Sequence, residues 1–121
     1  MSLNAERKDP SYRLGRLFAL LEKAQRDAIP GASATIKDRY FGAASTTPAA
    51  VFPQLLRLGQ HHMSKAEYGG YVDSLIAEVL DEIYRFPKHL SLEDQGIFSL
   101  GYYHQRNDLF RKKDKPPIGK E

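Results

Sequence analysis

The chain of 121 residues has no cysteine, so disulfide bonds and cysteine-ligated zinc sites are excluded. It also has no apolar run near the ~20 residues that a membrane-spanning helix needs. Its opening residues, MSLNAERK, lack the apolar core of a signal peptide. We therefore expect a cytoplasmic protein with no membrane partner.

Sequence patterns that indicate catalysis or cofactor binding are missing as well. There is no Gly-x-Ser-x-Gly motif, phosphate loop, dinucleotide fingerprint or zinc-ligand spacing. His61 and His62 are adjacent, so on a helix they point about 100° apart and are poorly placed to bind one metal together. Acid pairs such as Glu78 with Asp81 are typical of a solvated helix face. The sequence predicts a non-enzymatic protein with no metal, no cofactor and no small-molecule substrate.

Strand patterning is absent too, whereas five segments have the apolar spacing of helices. Asp9 before Pro10, and Thr47 before Pro48, are typical helix starts. The connections are short, which favours an all-α fold, a compact antiparallel bundle of about five helices. The predicted helices cover about residues 10–29, 35–44, 48–64, 67–86 and 91–113.

Length and composition fit a single domain. The chain is 41% hydrophobic and 27% charged, as in ordinary soluble globular proteins, and its length allows one core. We expect an N-terminal lead over residues 1–9, a helical domain over 10–113 and a C-terminal tail over 114–121. The tail contains Pro116-Pro117 and is expected to fray.

The predicted fifth helix is apolar on several sides, which is unusual for a surface helix. Ser91, followed by acids in the first turn, predicts its start. Phe98 and Tyr102 share one side of this helix, whereas Tyr103 and Phe110 share another. A helix of this kind normally packs between several elements, so we expect it to be the central helix.

Glycines inside the predicted helices indicate close contacts between helices. Each costs about 1 kcal/mol relative to alanine in a helix interior, so some are expected to permit a close crossing or a close partner. They are Gly15, Gly59, Gly69, Gly70, Gly96 and Gly101.

The charges are unevenly distributed along the chain. Residues 67–86 hold five acids and one base, so the remainder carries 17 bases and 10 acids, although the formal net charge is only +3. Such a division is typical of a domain with one basic side facing a polyanion. It also fits solvated helix surfaces of mixed charge, and composition alone does not decide between the two.

Basic residues outside the acidic helix are candidates for binding the phosphates of a nucleic acid. Arginine can hold a phosphate through two parallel N–H bonds, and lysine acts as a mobile point charge. Other roles stay open: Arg13 can extend along apolar surface, and Arg39 can pair with a nearby acid. The run 111–113 can bind the last carbonyls of its helix. The candidates are Arg13, Arg16, Lys37, Arg39, Arg57, Lys65, Arg106, Arg111, Lys112 and Lys113.

Four aromatic residues, Tyr40, Phe41, Tyr102 and Tyr103, are able to stack on unpaired bases. Packing is the simpler expectation, and we place Phe41 and Tyr102 in the core. Because Tyr102 and Tyr103 point about 100° apart on a helix, one of them is free to reach a protein interface.

Three ordered blocks of this sequence resemble a known family. They cover residues 98–106 (FSLGYYHQR), 34–45 (ATIKDRYFGAAS) and 12–22 (YRLGRLFALLE), with His61-His62 in the expected order. Together they are similar to the C-terminal region of the large subunit of the type I-C CRISPR Cascade, over roughly residues 10–112. The N-terminal part of that subunit has no counterpart here, and the chain begins with its own Met1. This fits the separately made small subunit of such systems.

The resemblance implies a function that the residues alone do not give. It implies a small subunit of a crRNA-guided antiviral surveillance complex, with the large subunit, the backbone subunits and other copies of itself as protein partners. Its role would be to bind the target or non-target DNA strand by its phosphates and so to stabilise the R-loop. The alternative is a helical adaptor that joins subunits without contacting nucleic acid.

Overall fold

The computed structural model describes residues 3–31, 35–65 and 69–113, with Lys112 and Lys113 described by their backbone alone. These residues form five helices and, within the described ranges, no strand, so the predicted all-α bundle is confirmed. The predicted tail at 114–121 lies outside the described residues. The helices are α1 (Pro10–Ala28), α2 (Ile36–Thr46), α3 (Pro48–Met63), α4 (Gly69–Leu80) and α5 (Leu92–Lys113).

The central helix is α1, and the prediction that the fifth helix occupies this position was wrong. Every residue of α1 from Ser11 to Glu22 is buried, and α1 packs against all four other helices. By contrast, α5 exposes Leu92, Leu100 and Tyr103. The sequence hides the position of α1 because several of its buried residues are polar or charged.

Two glycines let the backbones of α1 and α5 touch. A Cβ atom on Gly15 would collide with the carbonyl oxygen of Phe98 and lie 2.7 Å from the amide nitrogen of Tyr102. A Cβ on Gly101 would collide with the carbonyl oxygen of Tyr12 and lie 2.9 Å from its carbonyl carbon. The expected close helix crossing is therefore confirmed at these two glycines.

Contacts from the beginning to the end of α1 give its direction relative to α5. Gly101 contacts Tyr12, Gln105 bonds to Arg16, and Phe110 lies beside Arg26. This pair of helices therefore runs in the same direction, so the prediction of antiparallel helices was wrong for α1 and α5.

A cluster of aromatic rings forms the centre of the core around Phe18, which is fully buried. The ring of Phe18 meets four others edge-on, with centroid separations of 5.5 to 6.5 Å. Such pairs contribute about 0.5–1.5 kcal/mol each beyond the area that they bury. The four rings are Phe41, Phe52, Phe98 and Tyr102.

Helix α4 has the predicted apolar stripe but ends earlier than expected. Val72, Ile76 and Val79 are buried against the core. The prediction that this helix runs to residue 86 was wrong, because α4 ends at Leu80. The chain then turns so that the ring of Phe86 stacks on Phe52, 5.3 Å away and 8° from parallel.

Candidate nucleic-acid interface

Arg13 lies inside the protein. Only 3% of it is exposed, and its Nη1 atom is 2.8 Å from Oε2 of Glu82, just beyond the end of α4. The sequence allows Arg13 either to extend along apolar surface or to face a phosphate. In the folded chain its guanidinium is held by Glu82 and is not part of the exposed basic surface.

Arg16 is also buried, at 8% exposure. Its Nε donates a hydrogen bond of 2.9 Å to Oε1 of Gln105 on α5, which is 2% exposed. Burial lowers the pKa of Arg16 from its ordinary value, although an arginine remains charged at neutral pH. The two arginines of α1 that the sequence offered as phosphate ligands therefore stabilise the fold.

A second polar pair joins α1 and α5 beside Arg16. The hydroxyl of Tyr12 lies 2.6 Å from Nδ1 of His104 and accepts a hydrogen bond of 3.1 Å from the backbone N–H of Asn4. Burial, with a further contribution from Arg7, lowers the pKa of His104. When the neutral imidazole carries its proton on Nε2, its Nδ1 accepts a hydrogen bond from the Tyr12 hydroxyl.

A third pair lies deeper, where the Tyr102 hydroxyl donates a hydrogen bond of 2.5 Å to Oε1 of Glu22. Both residues are buried, and burial together with this hydrogen bond raises the pKa of Tyr102. The predicted core position of Tyr102 is confirmed. His104 and Gln105, polar residues on a largely apolar helix, are the signal in the sequence for the pairs with Tyr12 and Arg16.

The remaining candidate cations whose side chains are described lie nearer the surface. Lys37 and Arg106 are half-buried. Arg57 and Asp73 both border a groove between α3 and α4. The side chains of Lys112 and Lys113 lie outside the described residues. The exposed candidates are Arg39, Arg57, Lys65 and Arg111.

Lys37 sits among aromatic rings. Its Nζ atom is 5.5 Å from the ring centroid of Phe41, 5.9 Å from that of Tyr102 and 6.0 Å from that of Tyr103. These separations are within the ~6 Å range of a cation–π interaction. The α2 cation is thereby held next to Tyr103, which is 39% exposed.

Arg106 and Arg26 lie over the same aromatic ring, and Arg26 was not among the candidates predicted from the sequence. The Cζ atom of Arg106 lies 4.4 Å from the ring centroid of Phe110, and that of Arg26 lies 5.3 Å from the same centroid. Both arginines border a cleft of about 470 Å³ between α1 and α5. Arg26 lies just after the buried part of α1. Because it is far from Phe110 in the sequence, the sequence does not indicate this contact.

Carboxylates share this cleft with the arginines. It is also bordered by Glu22 and Asp27, and Asp27 Oδ1 accepts from Nζ of Lys23 at 2.8 Å. The other oxygen of Asp27 is buried and has no hydrogen-bond partner within the described part of the chain. The lining of the cleft therefore combines two arginines with the carboxylate residues Glu22 and Asp27.

The adjacent histidines of α3 differ in how far they are buried. His61 is exposed, whereas His62 is 5% exposed, and their ring centroids are 6.2 Å apart. Burial, followed by the neighbouring charges of His61 and Lys65, lowers the pKa of His62. Across residues 3–31, 35–65 and 69–113 there is no group of three or more His, Asp or Glu side chains placed to hold a metal ion.

These features define a class of protein. It is a small helical domain with a basic and aromatic surface on α2 and α5, and none of its described helices is long and apolar enough to cross a membrane. Within that class, the chain belongs to the family of the CRISPR-associated protein Cas_Csd1, whose model matches residues 1–110. This confirms the assignment to a Cascade-type CRISPR-associated subunit. Comparison with curated proteins finds no match.

Proposed function

We propose that this chain is the non-catalytic small subunit of a type I-C crRNA-guided surveillance complex, and that it binds DNA phosphates to stabilise the R-loop. The observation that carries the proposal is the state of Arg39, Arg57 and Arg111. All three are exposed, and within the described residues none of them forms an ion pair. They differ in this from Arg13, which Glu82 holds.

The arrangement of the helices supports a basic side and an acidic side. Central α1 packs between the other helices, and within the described residues α4 contacts neither α2 nor α5. The exposed acids of α4, Asp73 and Glu78, therefore belong to a different part of the surface from Arg39 and Arg111, whereas Arg57 borders a groove together with Asp73. A polyanion is attracted to one side, and solvent or a basic neighbour suits the other.

Phosphate contacts are sufficient for this role because base pairing with the crRNA supplies the specificity. Exchange of the DNA duplex for the RNA–DNA hybrid is nearly balanced in free energy, so a few sequence-independent contacts shift it towards the open state. Several copies in one complex, held by the large and backbone subunits, would add their weak individual affinities through multivalency.

A charge-reversal experiment tests the proposal. The triple variant R39E/R57E/R111E is reconstituted into the crRNA complex, and assembly and R-loop formation on a matched duplex are measured separately. We expect normal assembly and impaired opening. A matched control, K8E/R85E/K88E, makes the same charge change at three exposed bases outside the candidate set and is expected to open DNA normally. Equal opening by both variants would refute the phosphate-binding role.

A second candidate function, an adaptor between subunits, is favoured by two exposed apolar residues. Tyr84 is 94% exposed and Leu92 is 85% exposed, both near the connection between α4 and α5. If the chain is only an adaptor, Y84S/L92S prevents its incorporation into the complex, and R39E/R57E/R111E changes neither assembly nor opening. Normal incorporation of Y84S/L92S would remove the support for this alternative.

A further inference from the structure

We infer that the C-terminal tail, residues 114–121, folds back into the cleft between the ends of α1 and α5. The tail reads DKPPIGKE and lies outside the described residues. Its apolar middle, Pro116, Pro117 and Ile118, covers the apolar wall of the cleft, and its acids pair with the two arginines there. The contact goes beyond the proposed function, because neither DNA nor another subunit takes part in it.

The cleft lies at the end of the bundle from which the tail departs. It is bordered by residues at the end of α1 and by Arg106, Leu109 and Phe110 of α5. Phe110 precedes Lys113, the last residue of α5, by about 4.5 Å along the helix axis. The five residues from Lys113 to Ile118 span at most about 17 Å when extended. The cleft is therefore within reach of Ile118.

The wall of the cleft contains apolar surface that the described residues leave in contact with solvent. Ile29, directly after α1, is 48% exposed, Pro30 is exposed and Phe110 is half-buried, and all three border the cleft. Removal of such surface from water favours a contact. Two adjacent prolines restrict the chain before it docks, so less conformational entropy is lost when the apolar part of the tail becomes ordered.

The charges around the cleft suit a segment of mixed charge better than a polyanion. Arg26 and Arg106 border the cleft, and within the described ranges neither forms an ion pair. The carboxylate residues Glu22 and Asp27 border it as well, and they repel a continuous negative charge. The tail carries two acids and two bases, which are Asp114, Glu121, Lys115 and Lys120.

Attachment to α5 makes weak contacts sufficient. Pro116 disfavours a helical conformation at Lys115, so the chain is free to leave the axis of α5 and turn towards the cleft. Because the tail and the cleft belong to one chain, they meet at the effective concentration of a short tether, of the order of millimolar. An apolar contact and two exposed ion pairs are then enough to populate the docked form.

Disulfide trapping in the full-length chain tests the contact, because the sequence has no cysteine of its own. The variant P30C/G119C places one thiol in the cleft and one on the tail, and it keeps both isoleucines. The matched control is R111C/G119C, since Arg111 is exposed and does not border the cleft. Under mild oxidation of dilute protein, we expect the intramolecular disulfide of P30C/G119C to form several times faster than that of the control. Circular dichroism verifies that each variant is folded.

Further changes in the tail of P30C/G119C leave the bundle intact and test the two parts of the contact. I118D should slow trapping, whereas I118V, which keeps an apolar side chain, should not. D114K/E121K should slow it about threefold to tenfold, as expected for the loss of two exposed ion pairs.

Three results would overturn the inference. Trapping of P30C/G119C no faster than that of R111C/G119C means that the tail frays, and an unchanged rate in I118D means that Ile118 does not dock. A disulfide that links two copies into a dimer places the contact between molecules. Nuclear magnetic resonance provides a test without cysteines: I118D, but not I118V, should shift the backbone amide signals of Ile29 and Phe110. Shifts confined to the neighbours of residue 118 in the sequence would refute the docked tail.

Discussion

Three polar pairs give the contact between α1 and α5 its specificity at the level of single residues. The pairs Tyr12–His104, Arg16–Gln105 and Glu22–Tyr102 join positions 80 or more residues apart. Each buries groups that would be costly without a partner, so each favours the native pairing of these two helices over a shifted one.

Removal of one hydroxyl tests this at Glu22. Y102F leaves a buried carboxylate oxygen without its donor, and we expect a loss of about 1–3 kcal/mol in the free energy of unfolding. The neighbouring change Y103F removes a hydroxyl from an exposed residue and should cost less than about 0.5 kcal/mol. Urea denaturation measures both. Equal effects of the two changes would contradict the importance of the Glu22–Tyr102 bond.

The lowered pKa values of two histidines predict how the free energy of unfolding depends on pH. The pKa values of His62 and His104 are lowered in the folded chain, in both cases chiefly by burial. The unfolded chain therefore binds more protons as the pH falls through their ordinary value of 6.5, and stability is lost in that range. Carboxylates with lowered pKa values, such as Asp9, become protonated at a lower pH than the histidines.

We therefore expect the urea midpoint of the wild-type chain to fall between about pH 7 and pH 5. In the double variant H62Q/H104Q this fall should be much smaller, because neither glutamine titrates. A wild-type midpoint that rises on acidification, or a double variant with the same slope as the wild type, would show that the two imidazoles are not protected from protonation.

At the scale of the helices, the α1–α5 crossing is the contact on which the bundle depends. Gly15 and Gly101 bring the two backbones together, since a Cβ on either would overlap carbonyl atoms of the opposite helix. A backbone cannot move aside as a flexible side chain can. Even the smallest side chain at these positions must therefore separate the helices.

Alanine substitutions within α5 test the crossing. G101A should lower the free energy of unfolding by about 1–3 kcal/mol or more, because it overpacks a close contact. G96A lies in the same helix with no atom within 4 Å of an added Cβ, so it should raise stability by up to about 1 kcal/mol. Thermal denaturation compares the two. A stabilising G101A would mean that the helices do not touch at this point.

The sequence predicted the elements better than their arrangement. Five helices are visible because each must turn an apolar face inward, and that face repeats with the helical period. The early end of α4 at Leu80 is not visible in the sequence, and neither is the stacking of Phe86 on Phe52, which are far apart in the chain. The central place of α1 is hidden because Arg16 and Glu22 look like surface residues until their partners on α5 are known.

The candidate interface was predicted only in part for the same reason. Composition shows that bases outnumber acids away from α4, but it does not distinguish a buried arginine from an exposed one. Arg13 and Arg16 are buried, whereas Arg39 and Arg111 are exposed. Arg26, which the prediction omitted, shares a cleft with Arg106 because α1 and α5 run side by side.

At the scale of the whole molecule, the chain is a member of the CRISPR-associated Cas_Csd1 family over residues 1–110, built around one buried helix. That helix lies between the acidic α4 and the cations of α2 and α5. In the proposed role, the exposed cations Arg39, Arg57 and Arg111 of this bundle contact DNA phosphates. In this proposal the chain stabilises the open duplex and takes no part in its chemistry.

The most direct test measures R-loop formation on a matched duplex by the crRNA complex, with and without this chain, across a series of salt concentrations. The account predicts that opening is weak without the chain, is restored when it is added, and that the gain declines as salt rises. Equal opening in its absence at every salt concentration would contradict the account.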